Sequence, residues 1–257
     1  MAGDRVQYPT DAFDQLAEVE DRHWWFVWRN RIILWALRRA KPEIGRFLEV
    51  GCGTGFVLRA IREEWPQAYL ETAELHLEGI EHARRRVPSA VFRQQDVRFM
   101  HSEAKFDAIG AFDVLEHIDE DRLVVRNLAS ALSPGGVLIV TVPQHPQLWS
   151  YTDEHACHVR RYTRRNLAEL LLDAGLEVAH ATSFVSALLP AMWAARRKQA
   201  PRGHRPDPMT EFRISKPLNA ALSSVMAAEF LALKCGCTFP VGGSLLMIGR
   251  RPTRTDS

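Results

Sequence analysis

The stretch that decides the fold is FLEVGCGTG, residues 47–55. Phe47, Leu48 and Val50 indicate a buried strand, and an amphipathic stretch over 56–64 follows the glycines. Glycine suits such a turn because the backbone must bend sharply and allow a ligand to come close. The helix that begins after the turn also presents N–H groups that have no partner within the helix. The pattern therefore predicts a strand, a glycine turn and a helix that bind a nucleotide-like cofactor.

The composition fits one large α/β domain. The chain has 257 residues, a formal net charge of +2 and 46% hydrophobic residues. A charge this close to zero gives no reason to expect nucleic acid as a partner. The four cysteines fit no zinc spacing, so we interpret them as idle or buried thiols of a cytoplasmic protein. No secretory signal is predicted, and no stretch reaches the ~18 apolar residues that a spanning helix needs.

Strand and helix patterns alternate along the chain, as they do in a parallel sheet covered on both faces. Five strands are predicted in the first part, over 46–50, 68–74, 90–93, 106–112 and 137–142. One helix is predicted over 10–41, and no clear element over 143–165. The last part is predicted to contain a helix over 165–174, a strand over 176–184, a loop over 198–217, a helix over 218–234 and a strand over 244–249.

The spacing of the glycines separates two classes of cofactor. Dinucleotide-binding folds use G-x-G-x-x-G, whose third glycine position is occupied here by Phe56. Glu74, at the end of the second predicted strand, could accept hydrogen bonds from ribose hydroxyls in either class. Phe56 and the sequence that follows favour S-adenosylmethionine over a nicotinamide or flavin dinucleotide.

Several longer motifs resemble the class I S-adenosylmethionine-dependent methyltransferases. FLEVGCGTG is similar to their first motif, FDAIGAFDVLEH (106–117) to their fourth-strand motif, and LSPGGVLIVTVP (132–143) to their fifth strand. The stretches HWWFVWRNR, EHACHVRRY and PVGGSLLMIGR resemble bacterial type-11 and ubiquinone-type O-methyltransferases. The resemblance implies a Rossmann-like, mostly parallel sheet of seven strands in the order 3-2-1-4-5-7-6, with helices on both faces, N-terminal helices and a C-terminal helical insertion.

The resemblance also implies a single methyltransferase domain over 1–257. Within it we predict an N-terminal helical lid over 1–42, a cofactor-binding core over 43–184, a helical insertion or cap over 185–240 and the final strand over 241–250.

The same resemblance suggests which residues bind the donor. The glycines would wrap its methionine end, Glu74 would accept from the ribose, and Asp96 would accept from the adenine amino group. For Asp96 a plain turn residue is the alternative, and for Glu49 a carboxylate that caps backbone N–H groups. The full predicted set is Glu49, Gly51, Cys52, Gly53, Gly55, Glu74, Leu75, Asp96, Val97 and Phe112.

Three histidines are candidate bases. The enzyme must align the nucleophile with the methyl–sulfur bond, and a hydroxyl acceptor must also lose a proton. His117 is the first candidate because it follows the fourth predicted strand, while His155 and His158 follow the fifth. Packing or the anchoring of a loop is the alternative for each. The ubiquinone-type resemblance also offers Asp113, Glu116 and His117 as magnesium ligands, but our prediction is that the site holds no metal.

The acceptor is less well determined by the sequence. The arginines at 160, 161, 164 and 165 suit phosphate or carboxylate recognition, or else ion pairs within the protein. The apolar segments 184–193 and 218–233 suggest a lipid-like acceptor approached from a membrane surface, with core packing or a homodimer as the alternatives. We expect methyl transfer to the oxygen of a small-molecule or lipid-like acceptor. N- or C-methylation and a non-catalytic donor-binding partner protein are the alternatives.

Overall fold

The computed structural model describes residues 12–100, 105–197 and 212–253. Its centre is a seven-stranded sheet of order β3-β2-β1-β4-β5-β7-β6, which confirms the predicted topology. Strands β1 to β5 pair in parallel, and β7 runs antiparallel to both β5 and β6. The strands are β1 Arg46–Val50, β2 Tyr69–Glu74, β3 Val91–Gln94, β4 Phe106–Phe112, β5 Leu132–Pro143, β6 Glu177–Phe184 and β7 Ser244–Arg250.

Helices cover both faces of the sheet. In the described part of the chain they are α1 Ala12–Val19, α2 Trp24–Ala40, α3 Phe56–Glu64, α4 Leu77–Arg86, α5 Asp121–Ala131, α6 Tyr151–His155, α7 Arg164–Asp173, α8 Leu189–Arg197 and α9 Lys216–Lys234. Neighbouring side chains of a strand point to opposite faces, so Leu48 packs in the core with α5 and α7, whereas Phe47 packs in the core with α2, α3 and α9.

The helical stretch predicted over 10–41 consists of two helices, because the chain turns between α1 and α2. Glu20 in this turn accepts a hydrogen bond from Thr54 and forms an ion pair with Arg86. His23 then caps α2, since its Nδ1 accepts from the backbone N–H of Trp25 at 3.3 Å. The His23 contact gives a partner to an N–H that has none within the helix, while the Glu20 contacts hold the turn against α3 and α4.

Other predicted boundaries also differ. β5 begins at Leu132 rather than at 137, because Leu132 pairs with Phe106 ahead of a register shift. The segment 143–165 contains a short 3₁₀ turn and α6, which begins with a capping box of Ser150 and Asp153. α9 begins at Lys216, where Ser215 caps it. The rest of the loop predicted over 198–217 lies largely outside the described residues.

α2 is docked on α9. The indole N–H of Trp28 donates to Ser223 Oγ at 2.7 Å, and the backbone N–H of Trp24 donates to Asn219 Oδ1 at 2.8 Å. The role of the N-terminal helices as a lid stays a prediction, as do the predicted domain boundaries. Among the helices that the structure describes, none is both long and apolar enough to cross a bilayer.

Candidate active site

The glycine turn joins β1 to α3 at the carboxyl edge of the sheet. Gly51, Gly53 and Gly55 have φ values of 65°, 50° and 79°, in the left-handed region that favours glycine. Glu74, at the end of β2, accepts from the backbone N–H of Gly53 at 2.9 Å and from that of His76 at 3.0 Å. A carboxylate has about four acceptor positions, so these two bonds leave Glu74 able to accept from a ligand as well.

The three glycines meet different surroundings. A Cβ on Gly55 would lie 2.7 Å from Ala83 Cα, and a Cβ on Gly51 would lie 2.5 Å from Val114 Cγ2. A Cβ on Gly53 would meet nothing nearer than Phe13 Cε1, at 3.9 Å. Gly51 and Gly55 therefore let packed elements approach the turn, while Gly53 borders open space.

A buried acid lies directly before the turn. Glu49 is 2% exposed, and its Oε2 has no hydrogen-bond partner among the described residues. Burial raises the pKa of Glu49 well above its usual value, the positive charge of Arg29 opposes this, and Glu74 adds to it. Glu49 Oε2 therefore does not cap a backbone N–H group, which was the alternative role considered for this residue.

Arg29 and Glu20 contact the site, although the sequence did not predict them as site residues. Arg29, on α2, forms an ion pair with Asp113 directly after β4 and lies 4.8 Å from the Trp25 ring centre. The positions of Arg29 and Glu20 depend on how α1 and α2 pack against the sheet, and the spacing of residues in the sequence does not encode this packing. The motif around Trp25 and Arg29 was nevertheless a signal that these residues could be functional.

Cys52, Leu75 and Asp96 lie in or after the turns that follow β1, β2 and β3. Cys52 is buried beside the turn, where burial raises the pKa of its thiol, and Leu75 is 53% exposed after β2. Asp96 caps the 3₁₀ turn Val97–Phe99 and forms an ion pair with Arg98 at 2.6 Å, which lowers the pKa of its carboxyl. The plain turn role considered for Asp96 is therefore present, and its adenine contact stays a prediction.

Two of the predicted donor residues are packed side chains. Val97 is 5% exposed and lies in the core with α5. Phe112 is also 5% exposed, and its ring lies against the space that a Cβ on Gly110 would need. A donor contact at either position would be made by the backbone or by a ring edge.

An acid–histidine cluster joins Glu116 and His117, directly after β4, to His158, from the segment after β5. One side-chain ligand atom from each residue lies within 4.8 Å of the other two. The two imidazole rings are 4.7 Å apart in an edge-on arrangement. Glu116 is 1% exposed, and neither of its carboxylate oxygens has a hydrogen-bond partner from another described residue.

Burial and the charge of Asp113 raise the pKa of Glu116, while burial lowers the pKa of His117 to about 4.

The cluster differs from the sets predicted from spacing. Asp113 has a φ of 57° and its carboxylate is taken by Arg29, so it does not join Glu116 and His117. His158 joins them instead, from the segment after β5. His155 is exposed at the end of α6 and is not part of the cluster.

The four arginines near the start of α7 contact the protein itself. Arg160 pairs with Asp121, and Arg161 pairs with Asp153 at 2.7 Å. The other two engage backbone carbonyls or a helix neighbour, Arg164 at Phe239 O and Arg165 at Glu169. The ion-pair alternative agrees with these contacts.

This fold, with a glycine turn after β1 held by the terminal acid of β2, is the fold that the resemblance to the class I S-adenosylmethionine-dependent methyltransferases implied. The chain belongs to the family described as "Methyltransferase domain", which it matches over residues 22–181. This match confirms the family and the donor predicted from the glycine motifs.

Curated relatives act on different acceptors. The chain is 35% identical over 109 residues to a malonyl-[acyl-carrier protein] O-methyltransferase of Halalkalibacterium halodurans, covering 40% of each protein. It is 34% identical over 110 residues to a dTDP-3-amino-3,4,6-trideoxy-alpha-D-glucopyranose N,N-dimethyltransferase of Streptomyces venezuelae, covering 40% of this chain and 45% of that protein. The matched segment thus spans less than half the length of these relatives.

A solved structure supports the fold. Phosphoethanolamine N-methyltransferase 2 of Haemonchus contortus, in complex with S-adenosylmethionine, superposes with a TM-score of 0.64 at 16% identity. The similarity covers 97% of this chain and 59% of that one.

Proposed function

We propose that the chain transfers a methyl group from S-adenosylmethionine to an oxygen atom of a small-molecule acceptor. The acid–histidine cluster carries this proposal, because Glu116 and His117 lie directly after β4, which neighbours the strand that leads into the glycine turn. A donor on the turn and an acceptor at the cluster would meet at one edge of the sheet.

The reaction needs alignment and a place for one proton. The acceptor oxygen attacks the methyl carbon in line with the sulfonium, so the C–O bond forms as the C–S bond breaks and its electron pair returns to sulfur. S-adenosylhomocysteine leaves. A hydroxyl acceptor also loses its proton, which the cluster takes up directly or through water. His117 and His158 are the proposed catalytic residues, and the exposed His155 is the weakest of the three candidates.

The donor residues have distinct proposed roles. The open side of Gly53 supports its contact with the methionine end, and the unpartnered oxygen of Glu49 supports a contact with the donor ammonium. The free acceptor positions of Glu74 support a contact with the ribose. The rest of the proposed donor set comprises Gly51, Cys52, Gly55, Leu75, Asp96, Val97 and Phe112.

The proposed acceptor is a small molecule, with a lipid-like molecule as a narrower version. An open, largely apolar groove of about 560 Å³ lies between α9 and the loop at Ser186 and Ala187. This groove supports an acceptor that has an apolar portion. Peripheral contact with a membrane and a homodimer belong to this narrower version and stay predictions.

Labelled methyl transfer tests the acceptor atom. The full chain is incubated with tritium-labelled donor and fractionated small molecules. Mild alkali then releases volatile methanol from methyl esters, while ethers stay neutral and methylated amines bind a cation exchanger. Label in esters or ethers supports the proposal, whereas label confined to amines overturns oxygen as the acceptor atom and favours the nitrogen chemistry of one relative.

A pair of variants tests the role of the cluster. We expect Glu116→Gln to lose turnover yet bind S-adenosylhomocysteine in calorimetry as the unaltered chain does. Glu154→Gln on α6, which changes an exposed carboxylate, is the matched control. Normal turnover in Glu116→Gln would overturn the role of the cluster, and tight NAD binding without S-adenosylhomocysteine binding would overturn the donor.

A further inference from the structure

The geometry points to a transition-metal site formed by Glu116, His117 and His158. This is not the set that the spacing of the sequence offered, because Asp113 is engaged by Arg29 and the third ligand comes from the segment after β5. Two imidazoles and one carboxylate also define a different class of ion from the magnesium that an oxygen-rich set would take.

The carboxylate of Glu116 gives the first reason. Its side chain is 1% exposed, and both oxygens lack a partner from any other residue that the structure describes. A buried carboxylate without a partner is costly, and a divalent cation removes that cost. His158 Nε2 lies 4.0 Å from Glu116 Oε1. Two ligand atoms that each lie ~2.1 Å from one ion are at most ~4.2 Å apart, so a small side-chain movement allows both to bind it.

The surroundings of the two imidazoles give the second reason. His158 Nδ1 bonds to Asp153 Oδ1 at 2.9 Å, which directs its Nε2 toward Glu116. Asp153 is itself held by Arg161 Nε at 2.7 Å and by the backbone N–H of Ser150 at 2.9 Å. The His117 ring offers one nitrogen to the cluster. Histidine ligands of metal ions nearly always have such a partner on the second ring nitrogen, because it fixes the tautomer and the ring orientation.

The two segments that carry the ligands are joined before any ion binds. The backbone N–H of Val159 donates to Glu116 O at 2.7 Å, and Tyr162 Oη donates to Leu115 O at 3.3 Å and to Asp121 Oδ2 at 2.8 Å. The ligand positions are therefore set by the fold and need little ordering on binding.

The ligand types determine the ion. Two nitrogens and one carboxylate suit Zn²⁺ or another divalent first-row metal, and three protein ligands leave a position for water or an acceptor oxygen. An ion there would lower the pKa of a bound acceptor hydroxyl. With the ion bound, the two histidines would assist the reaction by holding it, and the hydroxyl proton would pass to water; without the ion, the cluster takes up the proton as described above. This role rests on the proposed function, but the metal site itself does not.

Metal titration of the full chain tests the site without acceptor or donor. The protein is stripped with chelator and titrated with Co²⁺, whose visible absorption reports its coordination, and Zn²⁺ is then used as a competitor. We expect one ion per chain and displacement of Co²⁺ by Zn²⁺. Glu116→Gln and His158→Gln should each weaken binding at least tenfold, and Asp153→Asn by about 10- to 100-fold, as loss of an outer partner does elsewhere.

Two control variants separate this set from the alternatives. His155→Gln removes a neighbouring exposed imidazole, and Asp113→Asn removes the carboxylate of the magnesium-type set. Both should bind Co²⁺ as the unaltered chain does, and retained S-adenosylhomocysteine binding shows that each variant is folded. Absence of stoichiometric binding overturns the site, and so does loss in Asp113→Asn with retention in His158→Gln. Either result leaves the methyl-transfer assay unaffected, so the two proposals fail separately.

Discussion

Replacing Gly55 with alanine tests how the glycine turn is built. Gly55 has a φ of 79°, and an added Cβ would lie 2.7 Å from Ala83 Cα and 2.8 Å from Ala83 Cβ, both rigid parts of α4. The left-handed conformation costs about 1–2 kcal/mol for a residue with a Cβ, and overpacking adds about 1–3 kcal/mol. We therefore expect Gly55→Ala to lower the free energy of unfolding by about 2–5 kcal/mol.

Alanine variants of two other glycines separate the conformational cost from the overpacking cost. Gly175, at the end of α7, has a φ of 77° with nothing within 4 Å of an added Cβ, so Gly175→Ala should cost only the conformational part. Gly53 has a φ of 50° and its nearest neighbour is 3.9 Å away, so Gly53→Ala should cost a similar amount. Gly53→Ala should nevertheless weaken donor binding, because the added methyl group enters the space proposed for the methionine end.

Urea unfolding followed by circular dichroism measures the three stabilities, and calorimetry with S-adenosylhomocysteine measures binding. We expect Gly55→Ala to be much the least stable. Gly53→Ala should be as stable as Gly175→Ala but should bind the ligand at least tenfold more weakly, the equivalent of about 1.4 kcal/mol. Equal stability of Gly55→Ala and Gly175→Ala would refute the packing argument, and normal binding by Gly53→Ala would refute the assigned position of the donor.

Three further predictions concern the helices and the buried acid. Burial lowers the pKa of His23 to about 4, so the unfolded chain binds more protons than the folded chain between pH 6.5 and 4. The free energy of unfolding should therefore fall by up to about 3 kcal/mol as the pH drops through that window. Urea unfolding at pH 7 and pH 5 should show a smaller difference in stability for His23→Asn than for the unaltered chain. Glu49, whose pKa burial raises, should release a proton when the donor ammonium binds. Calorimetry in buffers of different ionisation enthalpy should detect this release, and it should be absent in Glu49→Gln. Ser223→Ala should cost about 1–3 kcal/mol in urea unfolding, because it leaves the buried indole N–H of Trp28 without its acceptor, whereas Ser224→Ala should be nearly neutral.

The glycine turn could be predicted because its signal is local, and the sheet order could be predicted because the motifs resemble those of a known family. FLEVGCGTG encodes a strand, a turn and a helix start within nine residues, and the later motifs follow at the spacing of a parallel sheet. The break between α1 and α2 could not be predicted, because it depends on Glu20 reaching Thr54 and Arg86, which are distant in sequence. The early start of β5 similarly depends on pairing with Phe106.

The candidate site likewise contains residues that the sequence could predict and residues that it could not. Gly53 and Glu74 were predicted and lie in hydrogen-bond contact. The acid–histidine cluster was only partly predicted, because the spacing of Asp113, Glu116 and His117 does not reveal that Arg29 engages the first of them. A short sequence motif can place residues on one turn, but it cannot say which of them a distant helix engages.

The charges around the turn explain why the site suits a cationic donor. Glu49, Glu74, Asp113 and Glu116 all lie near the carboxyl ends of β1, β2 and β4, and Arg29 is the cation that influences the pKa of both Glu49 and Glu116. Its ion pair is with Asp113, so the oxygens of Glu49 and Glu116 are left without a hydrogen-bonded cation among the described residues. S-adenosylmethionine carries a sulfonium and an ammonium, and the ammonium is the group that we propose for Glu49. Glu116 is instead grouped with two imidazoles, a set of side chains that can bind one ion together. The proposed metal ion would bind the carboxylate and both ring nitrogens at one point, as a set of two imidazoles and one carboxylate allows.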